Sequence, residues 1–106
     1  MAYKLVISER TDEQIDRLVA YLIHELKNPD AAIHFLDELE DVYRRMEENP
    51  FQFPDCKDRR LFLLGYKEAL FERMSYRVIF RTEKSSVYIL GVFHLLEDFG
   101  KKIQIN

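Results

Sequence analysis

Residues Ser75 to Phe99 read SYRVIFRTEKSSVYILGVFHLLEDF, and no other stretch limits the possible folds as strongly. Two runs rich in β-branched and aromatic residues, Tyr76 to Arg81 and Val87 to His94, flank the short polar stretch Thr82 to Ser86. That pattern predicts an antiparallel β-hairpin with a loop a little longer than the tightest turns. Side chains alternate along a strand, so Tyr76, Val78 and Phe80 share one face, and Arg77, Ile79 and Arg81 share the other. An arginine pair is thus presented from a stiff strand beside a buried face.

The preceding chain supplies the layer that buries this hairpin. Tyr3 to Ser8 reads as a short strand centred on Leu5, Val6 and Ile7, which needs a partner and finds it in the hairpin. Thr11 and Gln14 have the spacing of a capping box, with Asp12 and Glu13 in the first turn where the helix dipole favours acids. Ile15, Leu18, Val19, Leu22, Ile23 and Leu26 then form one apolar helical stripe. Asn28-Pro29 ends that helix and caps the next, since proline is accepted in a first turn and not in a helix interior. Ala32, Phe35, Leu36, Leu39, Tyr43 and Met46 give a second stripe that stops before Asn49-Pro50. The connection is short enough to require an antiparallel helical hairpin.

Phe51 to Asp58 reads as a loop whose Phe51 and Phe53 tuck onto the core. Leu61 to Leu64 reads as an extended piece or loop, and Tyr66 to Arg73 as a strand joined to Tyr76 by a tight turn at Met74-Ser75. Leu95 to Phe99 is one helical turn or coil, and Gly100 to Asn106 a tail. The expected fold is therefore a single α+β domain over residues 1–106: a two-layer arrangement of an N-terminal strand, an antiparallel helical hairpin and a three-stranded antiparallel meander. One sheet face lies under the helices and the other is partly open.

Composition narrows the function classes. A chain of 106 residues can bury a core without staples. Cys56 is its single cysteine, so no internal disulfide forms and a reducing, cytoplasmic setting is expected. No apolar run approaches the roughly 20 residues that span a bilayer, and no signal-peptide layout opens the chain. Residues 1–58 hold 7 Lys+Arg against 14 Asp+Glu, whereas residues 59–106 hold 9 against 5. The second half is the natural meeting place for an acidic partner. His24 and His34 lack metal-ligand spacing and read as helix-surface residues.

The element order resembles the RelE/ParE toxin superfamily of bacterial type II toxin-antitoxin modules. The residues that carry the likeness are Asn28-Pro29 with Ala31-Ala32, Asn49-Pro50-Phe51, Tyr76-Arg77-Val78-Ile79-Phe80, Val92-Phe93-His94 and Glu97-Asp98. The resemblance implies a toxin neutralised by a cognate antitoxin, with no cofactor, no metal and no membrane partner. Within the superfamily, a RelE-like member cleaves messenger RNA on the ribosome and uses cations on the strand before the tyrosine-arginine strand. Here that strand offers Glu68, Leu70 and Glu72, and Leu95 and Leu96 stand where a further arginine follows the last strand. A second nuclease variant would use Arg77 and His94 with a carboxylate, for which Glu47, Glu48 and Asp55 are candidates. The ordinary reading of His94 is a strand-end residue donating a hydrogen bond to backbone.

A ParE-like member instead poisons DNA gyrase and needs no nuclease constellation. Its histidine followed by an acid is matched by His94 and Asp98, although Leu95, Leu96 and Glu97 replace the usual intervening arginines. The expectation is a ParE-like toxin acting on an essential target such as gyrase. The alternatives are a ribosome-dependent mRNA endonuclease using Arg77 and His94, and an attenuated, non-catalytic module that binds an antitoxin. The target or antitoxin surface is expected at Arg73, Arg77, Arg81, His94, Leu95, Leu96, Asp98 and Phe99. By this resemblance an acidic amphipathic antitoxin segment meets the basic second half. Arg77 and Arg81 also have an ordinary reading, as strand arginines paired with Glu68 or Glu72 across the neighbouring strand.

Overall fold

In the computed structural model, which describes residues 2–97, the chain runs from strand β1 (Lys4–Ile7) into helix α1 (Glu9–Ala20) and a π-helical turn (Tyr21–Glu25). Helix α2 (Pro29–Glu48), a 3-10 turn (Pro50–Gln52) and a short helix α3 (Arg59–Leu63) follow. Strands β2 (Lys67–Leu70), β3 (Tyr76–Glu83) and β4 (Ser86–His94) complete it. The sheet order is β1-β4-β3-β2. The last three strands form the expected antiparallel meander, and β1 runs parallel to β4 with Leu5 opposite Val87, so the sheet is mixed.

Helices α1 and α2 cover one face. Phe35 and Met46 of α2 meet Val78 and Phe80 of β3 and Val87 and Val92 of β4, all with essentially no exposure. Burying a side chain of this size is worth about 1.5–3 kcal/mol, so this layer carries most of the stabilisation. Asn28 caps α2 as expected, its side chain accepting from the Ala31 N–H at 3.1 Å with Pro29 in the first turn. The apolar stripe of α1 holds through Leu22 and then fails. The π-helical turn adds a residue to the repeat there, which rotates Ile23 and Leu26 out to solvent. On α2 it is Val42 that lies inside, while Leu36 is exposed.

The start of α1 also differs from expectation. Ser8 is the cap, accepting from the Thr11 N–H at 3.1 Å. Gln14 closes no capping box and instead turns to the sheet: its Nε2 donates to the Val92 carbonyl at 2.7 Å and its Oε1 accepts from the Val92 N–H at 2.9 Å. Strand β1 pairs only with Ser86 to Ile89, so the amide of Gln14 does for Val92 what a longer β1 would have done. Thr11 is buried and donates weakly to the Ile89 and Leu90 carbonyls. At this place the register of β3 on β4 slips between Ile79 and Phe80, leaving Leu90 as a bulge residue. The bulge resets the alternation, so Ile89 and Val92 both face the helices.

The second face is less open than the sequence suggests. Leu61 to Leu64 is not extended: Asp58 caps α3 by accepting from the Leu61 N–H at 3.1 Å, and Gly65 at φ +84° ends the segment. Leu61 seats on Ile79, Phe93 and Cys56 as a small second core. A contiguous apolar run cannot distinguish a strand from a helical turn by periodicity, which is why LFLL misleads. Phe53 packs edge-on to Phe80 as expected, but Phe51 is exposed, touching Tyr3 and Lys67. The β3–β4 turn is tighter than expected, with Glu83 opposite Ser86 and Lys84 at φ 57°. Strand β2 ends at Leu70 rather than Arg73. The chain turns tightly about Ser75, where the Tyr76 N–H donates to the Met74 carbonyl at 2.9 Å, inside a wider return closed by the Phe71 N–H donating to the Tyr76 carbonyl at 2.9 Å. The Glu38 carboxylate accepts from the N–H groups of Arg73 at 2.8 Å and Met74 at 3.0 Å.

Two outcomes test this packing. A Cβ at Gly91 would lie 2.8 Å from the Phe93 ring and 2.9 Å from Gln14 Oε1, so Gly91→Ala is expected to cost about 1–3 kcal/mol in urea unfolding. Burial pushes the Cys56 thiol up to about 12, with Glu68 and Asp58 nearby adding to the rise. The unfolded thiol ionises near its ordinary value while the folded one stays neutral. Its contribution is therefore intact below pH about 8.5 and declines from there toward pH 12. Cys56→Ala is expected to flatten part of the alkaline fall in a denaturation series, and iodoacetamide at pH 8 is expected to alkylate the folded protein slowly.

Candidate functional site

Arg77 and His94 come from adjacent strands but serve opposite faces of the sheet. In the β3–β4 register Tyr76 stands opposite His94 and Arg77 opposite Phe93. The His94 ring packs edge-on against Tyr76 at 5.2 Å between centroids, on the helix-covered side where Tyr76 meets Phe35. Arg77 projects to the other side with Ile79 and Phe93. The two side chains leave their strands on opposite sides, and both then reach the turn after β4, where Arg77 Nη2 donates to the Leu95 carbonyl and His94 Nδ1 accepts from the Leu96 N–H.

Arg77 is also engaged. Its Nη1 donates to Glu68 Oε2 at 3.0 Å, on the diagonal between β3 and β2, and its Nη2 donates to the Leu95 carbonyl at 3.1 Å. The two side chains are only 15% and 4% exposed. The ordinary reading of Arg77 as a cross-strand pair with Glu68 is the one realised. Burial makes either charge costly to leave unanswered, and the guanidinium is largely neutralised before any anionic ligand could reach it.

Arg81 is no more available, since it donates to Glu83 at 3.0 Å and lies over the Tyr88 ring at 4.6 Å. Arg73 does not join these two. It lies in the return after β2 with an exposed side chain and its backbone held by Glu38. Lys67 is tied to Asp55 at 2.9 Å. Tyr66 packs on the second core and Tyr88 is the platform for Arg81. Burial pushes the Tyr76 phenol above its usual value, with Tyr21 and Glu97 nearby adding to the rise, so it remains protonated at neutral pH.

Beyond β4 the chain makes a small turn. His94 Nδ1 accepts from the Leu96 N–H at 3.1 Å, and Glu97 Oε1 accepts from the His94 N–H at 3.0 Å. His94 is thus a strand-end residue bonded to backbone, but its ring accepts a bond where the sequence predicts that it donates one, and that bond places the ring proton of the neutral form on Nε2. The turn pushes Leu95 and Leu96 outward, and Leu96 is 89% exposed. Asp98 and Phe99 of the expected surface lie outside the described residues. Of the candidate carboxylates, Glu47 and Glu48 lie at the end of α2 and Asp55 is engaged by Lys67. Among the described residues no three His, Cys, Asp or Glu side chains converge to hold a metal, and no helix is long and apolar enough to cross a membrane. Pattern reading did not find Glu38, whose hold on the β2–β3 return leaves no periodic signal.

Comparison with known families matches residues 5–99 to the model described as the ParE toxin of the type II toxin-antitoxin system parDE. Among solved structures, the chain is similar to one described as a chromosomal ParDE TA system from P. aeruginosa. The TM-score is 0.71 at 14% identity, covering 89% of this chain and 97% of that one, so the likeness is one of fold. Comparison with curated protein sequences gives no significant match.

The buried pair yields a sharp expectation. Glu68→Ala leaves a desolvated guanidinium without its carboxylate and is expected to cost about 3–5 kcal/mol in chemical unfolding. The double change Glu68→Leu with Arg77→Met is expected to cost much less than the single one. Equal losses in the two proteins would mean that the pair is not the buried interaction described.

Proposed function

Because the chain belongs to the ParE toxin family of type II toxin-antitoxin systems, we propose that it arrests bacterial growth by gripping an essential protein, with DNA gyrase as the candidate, and not by cutting RNA. The observation that carries this reading is the engagement of Arg77, mostly buried, by the Glu68 carboxylate and the Leu95 carbonyl. Phosphoryl transfer in RNA needs cations placed where charge develops in the transition state. Here Arg77, Arg81 and Lys67 each answer a carboxylate of the protein itself. A protein target asks for different features, namely an exposed apolar anchor beside polar groups on a rigid support. Leu95 and Leu96 on the turn fixed by His94 and Glu97 have that form.

The same reading assigns a cognate antitoxin as partner and the cytoplasm as the place of action. An exposed leucine pair on a bonded turn is a surface that an antitoxin would cover in the neutral complex.

Expression in a bacterial host without antitoxin is expected to arrest growth, and the purified protein to inhibit gyrase supercoiling while transcripts on translating ribosomes stay intact. Efficient transcript cleavage would overturn the reading. Leu96→Asp is expected to keep its unfolding midpoint and to lose at least tenfold in antitoxin affinity; unchanged affinity would remove this turn from the interface.

A further inference from the structure

A groove of about 390 Å³ lies between α2 and the return that follows β2. One wall is a stripe along α2 that starts at His34 and ends at Arg45, and the other is built from Leu70, Glu72, Arg73 and Met74. From His34 to Arg45 the helix rises eleven steps of about 1.5 Å, which makes the wall about 16 Å long, three turns of a bound helix. Its apolar floor is Val42 with Leu70 and Met74, and Leu70 is 48% exposed although it stands on a strand.

The rim is acidic. Asp37, Glu38, Asp41 and Glu72 face two arginines, of which Arg45 is shared among Asp41, Gln52 and the Phe53 ring. Glu38 is used by the backbone of the return and Asp41 by Arg44 and Arg45. Asp37 and Glu72 have no cationic partner among the described residues. Helix α2 as a whole carries seven Asp or Glu against Arg44 and Arg45, so its field draws cations toward the groove from a distance.

We propose that this groove docks a basic amphipathic helix of a partner protein, its leucine-type anchors on Val42, Leu70 and Met74 and its lysines or arginines on Asp37 and Glu72. Resting on the toxin reading, that partner is the antitoxin, and the segment it lays here is basic. This is opposite in sign to the acidic segment expected for the second half of the chain, and it adds a separate contact on the acidic half. The groove is the helix-in-groove mode of recognition with charge selecting the occupant.

The probes are two 16-residue helical peptides of one Leu pattern, one with Lys and one with Glu at the polar positions, titrated into the full-length protein by fluorescence anisotropy. The Lys/Leu peptide is expected to bind, more weakly as salt rises, and the Glu/Leu peptide to bind at least tenfold more weakly. Asp37→Lys with Glu72→Lys is expected to reverse that order while leaving the unfolding midpoint unchanged, a reversal that a merely damaged fold would not give. No binding of the Lys/Leu peptide, equal binding of both, or an order unchanged in the variant overturns the proposal. So does sedimentation showing that the wild type self-associates through this groove and the variant does not, since the occupant would then be a second copy. The peptide arm reads the groove alone, whereas loss of growth arrest on expression reads the toxin assignment, so either can fail without the other.

Discussion

A guanidinium taken out of water must have its charge answered, and in this protein Glu68 answers Arg77 on a face that α3 and the loop around Cys56 help to dry. The pair spans β2 and β3, and the other arm of the guanidinium reaches over β4 to the Leu95 carbonyl. One side chain thus fixes the edge strand, the central strand and the chain's departure from the last strand. The cost of desolvating two charges is offset only where geometry and extra hydrogen bonds are good, and the bond to Leu95 supplies one of these. That constraint makes the arginine structural, and it leaves the turn after His94 as the exposed product of the arrangement.

Strand β4 is the other centre of the molecule. It pairs along its length with β3, and on its far side with β1 for four residues and then with the Gln14 amide. The bulge at Leu90 permits both helix-facing contacts, and Gly91 beside it leaves room for the Phe93 ring and the Gln14 amide, which a Cβ there would press aside. Such a strand delivers His94 and the Leu95-Leu96 turn at a defined place on a stiff support, which suits recognition of a protein surface.

Charge is distributed in a way that the halves of the sequence describe only in part. Three basic residues of the sheet meet carboxylates within the fold: Lys67 meets Asp55, Arg77 meets Glu68 and Arg81 meets Glu83. Helix α2 carries seven acids against two arginines, and of those acids Asp41 and Glu48 are ion-paired, so the helix keeps a net negative charge. The two β3 arginines that look ready for an anion in the sequence each answer a carboxylate of the protein, and the acidic helix presents a groove suited to a cation.

The sequence by itself determined the element order, the meander, the Asn28-Pro29 junction, the family likeness and the alternation that separates Tyr76 from Arg77. Each of these is local, set by strand period, proline geometry or short-range capping. The possible pairing of Arg77 with Glu68 was legible too, because the two lie on adjacent strands. Only the tertiary structure decided that this pair is buried, that Gln14 serves the sheet instead of its own helix, that LFLL is helical and that a π-helical turn exposes Ile23 and Leu26. It also decided that Arg77 and His94 part company across the sheet, since that follows from the β3–β4 register. These outcomes depend on contacts between residues far apart in the chain, such as Gln14 with Val92, and no periodicity along one segment encodes what a distant segment will bring to meet it.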